Sequence, residues 1–222
     1  MILLQNIKGA IFDLDGTLLD SMSVWRNMAA DYLKSQNVTP KDDLFDVVRA
    51  MSLADTTVYF REEYGILKTD EQISAEINAN VEYFYNNVAA NKDFVIEYLE
   101  LLKQKGVKMC IATATDNHLV EPAVKRNGLD KYFDKIFTCS EVGYGKNTPE
   151  IFLKALDYLG TPIENTYVFE DSLFAIKTAK EAGFPIVGVY DIHSEYQIDE
   201  VKAMSDVFIN GFDELIKIMH TN

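Results

Sequence analysis

Six short apolar runs punctuate the chain, at residues 7–13, 107–113, 135–138, 166–170, 186–190 and 207–210. Each has the length and β-branched or aromatic content of a strand, and helical spacing of apolar positions separates the later ones. That alternation predicts an α/β fold: a doubly wound, mainly parallel, Rossmann-like sheet.

The first interval breaks the rhythm. About 90 residues separate the first run from the second, far more than one crossover helix requires, and they contain no convincing strand. Trp25, Met28, Ala29, Tyr32 and Leu33 make one stripe at helical spacing, and Ile73, Ile77, Val81, Phe84, Tyr85 and Val88 make another. Shorter patterns at 42–51 and 54–64 lie between them, so the segment reads as an inserted four-helix bundle. Trp25, on its stripe, is expected in the core of that bundle. Asp93 is read as the cap of a return helix whose Phe94, Tyr98, Leu101 and Leu102 share a face and whose end is marked by Gly106. The predicted domains are a core of 1–20 and 92–222 and an α-helical cap domain of 21–91, joined by short linkers near 20–23 and 89–92.

Composition narrows the class. With 222 residues, 48% of them hydrophobic, the chain can bury a core and a smaller inserted domain. Its 21 Lys and Arg stand against 35 Asp and Glu, and a net charge of -14 argues against nucleic acid as the partner. Any phosphate site must therefore carry its own local cations. The N-terminal residues show neither a basic lead nor a small-residue cleavage site, and no apolar run reaches membrane length, which predicts a soluble cytoplasmic protein without a membrane partner. Cys110 and Cys139 read as free thiols, and His118, His193 and His220 lack zinc-like spacing. A monomer is the default expectation.

The chemistry gathers at strand ends. In a parallel sheet all carboxyl ends reach one edge, so residues distant in sequence converge there. Asp13 and Asp15 end the first run; Thr113-Ala114-Thr115-Asp116-Asn117 ends the second; Lys146, in Gly143-Tyr144-Gly145-Lys146-Asn147, follows the third; and Glu170-Asp171-Ser172 ends the fourth. Acid, hydroxyl, cation and acid together suit phosphoryl transfer. A carboxylate such as Asp13 can attack phosphorus once a cation neutralises the phosphoryl oxygens, and magnesium held by Asp13, the Asp15 backbone carbonyl and Asp171 would serve. Asp15 can protonate the leaving oxygen and then deprotonate water. Thr113, the amides of Gly16 and Ala114, and the charge of Lys146 can hold the transferring group. Thr115 and Asn117 are read as loop-ordering or supporting groups, His118 as a surface helix residue, and Ser172 as a helix cap.

Competing motifs fit less well. An EF-hand needs a third ligand before its glycine, whereas Gly16 directly follows Asp15. A Walker loop fails because Ser140 stands at its first glycine and Asn147 at its magnesium-binding hydroxyl.

The four segments FDLDGT, ATATDN, GKNTPEIF and FEDS, ordered and each behind a strand, resemble the motifs of the haloacid dehalogenase (HAD) superfamily, mostly magnesium-dependent phosphohydrolases. The resemblance spans nearly the whole chain. It implies Asp13 as nucleophile, Asp15 as general acid and base, Thr113 and Lys146 as phosphoryl binders, and Glu170 and Asp171 at the magnesium end. Asn147 and Ala175 depart from the usual Pro and Gly. The inserted bundle is similar to the helical cap of the branch containing β-phosphoglucomutase and phosphoglycolate phosphatase. The mutases carry a cap histidine where this chain has Trp25, and their cap-loop arginine is missing from Met51-Ser52-Leu53-Ala54, which weakens the mutase reading. Arg49 and Arg61 remain candidate cap cations. The expectation is a phosphatase acting on a small phosphorylated metabolite, with a phosphomutase or a noncatalytic magnesium- or phosphate-binding module as the alternatives.

Overall fold

The computed structural model describes residues 6–48, 51 and 53–220. They form two compact units, Met1–Asp20 with Ala89–Asn222, and Ser21–Val88. In chain order the strands are β1 (Gly9–Phe12), β2 (Leu19–Asp20), β3 (Ala90–Asn91), β4 (Lys108–Thr113), β5 (Ile136–Thr138), β6 (Thr166–Glu170), β7 (Ile186–Val189) and β8 (Val207–Ile209). The helices are α1 (Met22–Ser35), α2 (Leu44–Val48), α3 (Leu53–Tyr64), α4 (Asp70–Asn87), α5 (Val95–Gln104), α6 (Asn117–Arg126), α7 (Cys139–Val142), α8 (Glu150–Leu159), α9 (Leu173–Glu181), α10 (Ile198–Met204) and α11 (Phe212–His220).

Six strands of the first unit pair in the order β5-β4-β1-β6-β7-β8, every neighbouring pair parallel. Period-two alternation sends Ile11, Cys110, Ala112 and Val168 to one face, where they pack with Phe152 of α8 and Ile176 of α9. Phe12 and Phe169 turn to the other face, stack with ring centroids 4.2 Å apart, and leave Phe169 against Tyr98 of α5. Tyr98 in turn packs on Phe212 of α11. Helices thus cover both faces, and each buried Phe contributes about 1.5–3 kcal/mol of hydrophobic stabilisation. Because β4 and β5 lie on one side of β1 and β6 to β8 on the other, a crevice forms at the carboxyl ends of the central strands.

Two local features differ from expectation. The linker stretches pair with each other as an antiparallel ribbon, Leu19 opposite Asn91 and Asp20 opposite Ala90. Two residues per strand are too few to leave an alternating pattern in sequence. Asp93 does not cap α5: the N-cap is Phe94, at φ 63 with no side-chain cap bond. The chain leaves β3 through a turn in which Val95 N–H donates to Lys92 O, so the helix starts one residue late.

In the second unit, α1 to α4 pack around Ala29, Tyr32, Leu33, Phe60, Ile73 and Ile77, with Tyr32 and Phe60 stacked at 5.5 Å. A capping box between Thr69 and Gln72 starts α4. Trp25 is not in this core: it is 37% exposed, and its indole N–H donates to the buried Tyr85 Oη at 2.9 Å. The stripe of α1 turns inward from Met28, which packs on this core half-buried, and is fully buried at Ala29, Tyr32 and Leu33. Val88, at the end of its stripe, is also exposed. Arg61 is paired with Asp70 at 3.2 Å on the surface, while Arg49 and Ser52 lie outside the described residues. Both cysteines are free, and no described helix is long and apolar enough to cross a membrane.

Candidate active site

Asp13 leaves β1 with its backbone N–H donating to Phe169 O at 2.9 Å, which ties the end of β1 to β6. Behind it the chain turns sharply. Gly16 sits at φ 80, a left-handed conformation natural to glycine, and its N–H donates to Leu19 O at 2.9 Å. That amide, expected from sequence to face a phosphoryl oxygen, is therefore engaged within its own turn.

From the end of β4, Thr115 Oγ1 donates to Asp15 Oδ2 at 2.7 Å, and Thr115 N–H donates to Thr113 Oγ1 at 3.1 Å. Thr113 is buried and thus has one lone pair occupied by an amide, with its own proton left to donate. Ala114 links the two threonines. The path from β5 is longer. Thr138 Oγ1 accepts from Glu141 N–H to start α7, and Gly143 at φ 84 ends it. The chain then carries Lys146 inward until it is 4% exposed. Its ammonium pairs with Asp13 Oδ1 and, at 2.7 Å, with Glu170 Oε2.

At the end of β6, Glu170 Oε1 accepts from Ser172 N–H at 3.1 Å, so Ser172 starts α9 through its backbone and not through a side-chain cap. Asp171 accepts from Thr17 Oγ1 at 3.3 Å and from Ser194 Oγ at 3.0 Å. Asp13, Asp15, Thr113, Lys146, Glu170 and Asp171 therefore come to one edge of the sheet. His118 remains in α6 outside this set, and Asn117 donates to Glu141.

A family model described as haloacid dehalogenase-like hydrolase matches residues 7–183, a span that takes in all four strand ends. This chain belongs to the haloacid dehalogenase-like hydrolase family. Among curated relatives it is 29% identical to the phosphorylated carbohydrates phosphatase of Thermotoga maritima, over 85% of this chain and 87% of that protein. It is 30% identical to the phosphoglycolate phosphatase of Salmonella typhi, over 96% of this chain and 92% of that protein. A solved Thermotoga maritima protein provisionally assigned as a beta-phosphoglucomutase shares the fold at a TM-score of 0.81 and 24% identity, covering 97% of this chain and 99% of that one.

The electrostatics of this haloacid dehalogenase-like hydrolase leave its acid cluster short of positive charge. One oxygen each from the buried Asp13, Glu170 and Asp171 lie within 4.8 Å of one another. Burial first, and then the neighbouring Glu170, holds the Asp13 carboxyl well above the usual carboxylate range. The same two causes push Asp171 up to about 7. Burial alone would lower the Lys146 ammonium, but Asp13 and Glu170 more than offset it and hold it above its ordinary value. With all three carboxylates ionised, one ammonium leaves a deficit of two positive charges. Hard oxygen donors in that number, lacking two charges, fit a divalent hard cation such as magnesium.

Four further side chains belong to this neighbourhood without having stood out in the sequence: Thr17, Lys92, Asp191 and Ser194. Asp191 lies just beyond β7 and follows the same strand-end logic as the others, so that signal was present. Lys92 fell in a stretch read as linker, Ser194 carries no pattern of its own, and Thr17 closes the FDLDGT segment without a role assigned to it there. A cavity of about 470 Å³ is lined by Lys92, Phe94, Tyr190, Asp191 and Asn210, among others, and by none of Asp13, Glu170 and Asp171.

Proposed function

We propose that this chain is a magnesium-dependent phosphatase that hydrolyses a small phosphomonoester through an aspartyl-phosphate on Asp13. The observation that carries the reading is the buried Asp13–Lys146–Glu170 ion-pair array beside Asp171, with Asp15 held next to it by Thr115. The curated relatives named for phosphorylated carbohydrates and phosphoglycolate support a small phosphorylated metabolite as substrate.

Asp13 supplies the attacking oxygen, forming an O–P bond as the bond to the leaving oxygen breaks in line. Asp15, aimed by Thr115, gives its proton to that leaving oxygen. A water then attacks phosphorus while Asp15 takes its proton back, and inorganic phosphate departs from Asp13. The hydroxyl proton of Thr113 and the amide of Ala114 are donors for the phosphoryl oxygens, and the Lys146 ammonium offsets their charge. Glu170 keeps Lys146 in place from the far side. Asp13, Asp171 and the Asp15 carbonyl would hold magnesium, with Glu170 as the remaining acid of the set; when bound it supplies the positive charge that lets Asp13 react ionised.

The test is phosphate release from a panel of sugar phosphates, phosphoglycolate, nucleoside monophosphates and sugar-alcohol phosphates, with magnesium, with chelator, and with Asp13→Asn. Release dependent on both magnesium and Asp13 supports the proposal and ranks the substrates. Full activity in Asp13→Asn overturns the nucleophile, and dependence on a bisphosphate activator, with no net release, favours a mutase instead.

A further inference from the structure

Asp171 is gripped from a segment that none of the four motifs contains. Ser194 Oγ donates to its Oδ2 at 3.0 Å, while Thr17 Oγ1 donates to its Oδ1 at 3.3 Å. Ser194 lies in a 3-10 turn, Ile192–Gln197, that follows β7. That turn is wound on Asp191, whose Oδ1 accepts from His193 N–H at 2.8 Å and whose carbonyl accepts from Ser194 N–H at 3.1 Å. The other oxygen of Asp191 is paired with Lys92 at 2.9 Å, and the Asp191 side chain is 2% exposed. Lys92 also donates to Tyr190 O at 2.7 Å, so one ammonium holds both the side chain that winds the turn and the backbone that enters it.

We propose that Ser194, held in place by the Lys92–Asp191 ion pair, is a positioning residue that fixes the Asp171 carboxylate for the divalent cation. This rests on the magnesium reading of the same site. A carboxylate's terminal torsion is broad and close to two-fold, so an unrestrained Asp171 presents either oxygen over a wide arc. A hydroxyl donor on each oxygen fixes the plane, and the remaining lone pairs then point one way. The donor on Oδ2 comes from a turn whose shape depends on a buried ion pair, which makes its position as rigid as the pair itself. Partners that orient a metal ligand typically account for 10–100-fold in metal affinity.

The test uses the full chain stripped of metal by chelator, with Ser194→Ala, Ser194→Thr and Lys92→Met variants that keep the wild-type circular dichroism. Magnesium affinity is measured by isothermal titration. The expected result is roughly 10-fold or greater weakening in Ser194→Ala, recovery in Ser194→Thr, and weakening in Lys92→Met. If Lys92→Met fails to fold, the two Ser194 variants decide alone. In turnover, the magnesium concentration for half-maximal rate rises by the same factor while kcat at saturating magnesium is retained. Unchanged affinity in Ser194→Ala overturns the inference and leaves the magnesium site intact. A wild-type protein that binds no magnesium overturns the metal reading itself, and this inference with it.

Discussion

Replacing Asp13 by Asn should abolish turnover and yet make the metal-free protein more stable at alkaline pH. Asp13 shares a buried site with Glu170 and Asp171, their oxygens within 4.8 Å. At an effective dielectric of about 20, two like charges at that separation repel by about 3.5 kcal/mol. Two such repulsions oppose one attraction to Lys146 of about 4–5 kcal/mol at contact distance, a net penalty of about 2–3 kcal/mol before desolvation is added. Asn keeps the shape and an acceptor for Lys146 but drops the charge. The sign with pH follows from linkage. Burial, then Glu170, raises the Asp13 pKa in the folded state, so the folded chain holds this proton more tightly than the unfolded one. The wild type therefore keeps this contribution below about pH 4 and loses it as pH rises, whereas the variant has nothing to lose. A gain of about 2 kcal/mol at pH 8 corresponds to roughly 4–8 °C in melting temperature for a chain of this size. Calorimetric melts in chelator at pH 5 and pH 8 measure it. A variant that melts below the wild type at pH 8, or by the same margin at both pH values, refutes the reasoning.

Other expectations follow from the same geometry. Lys146→Met leaves Asp13 and Glu170 buried without their cation and should lower stability by about 3–5 kcal/mol, read as a fall in melting temperature, with loss of phosphate release. Since burial and then Glu170 push Asp171 up to about 7, the metal-free protein should lose stability as pH rises from about 4 to about 7, so added magnesium should raise the melting temperature more at pH 8 than at pH 5. Thr115→Val removes the 2.7 Å bond to Asp15 and should lower kcat by about two- to tenfold, equivalent to a hydrogen bond worth about 0.5–1.5 kcal/mol, read from initial rates of phosphate release. Phe60→Ala opens the core of the second unit and should destabilise it by about 3–5 kcal/mol in a calorimetric melt.

The sheet was legible because its central strands β4, β1, β6 and β7 are buried on both faces and so carry dense apolar runs, and the acids were legible because each follows such a run directly. Thr166–Glu170 matches its expected span without adjustment. Contacts that depend on three-dimensional return were not legible. Nothing in the string around Ser194 announces a hydroxyl on Asp171, and nothing at residues 19–20 or 90–91 announces a ribbon. Periodicity also overstated Trp25, because a stripe records which face is apolar and not where along the helix that face meets its neighbours. Gly16 was legible as a turn, but the destination of its amide depended on the local fold of residues 16–19.

The ribbon of β2 and β3 has a further consequence for how such a chain can change. Residues 21–88 leave the first unit after Asp20 and return before Ala90, two positions that face each other as a strand pair. To the surrounding chain, that whole excursion closes a gap no wider than an ordinary hairpin. Loop-closure entropy grows only logarithmically, about 0.6 kcal/mol for each doubling of length. The excursion can therefore lengthen, shrink or be exchanged for another helical module at little thermodynamic cost to the sheet. Sequence change can then accumulate in that segment while the sheet and the residues at its strand ends keep their arrangement.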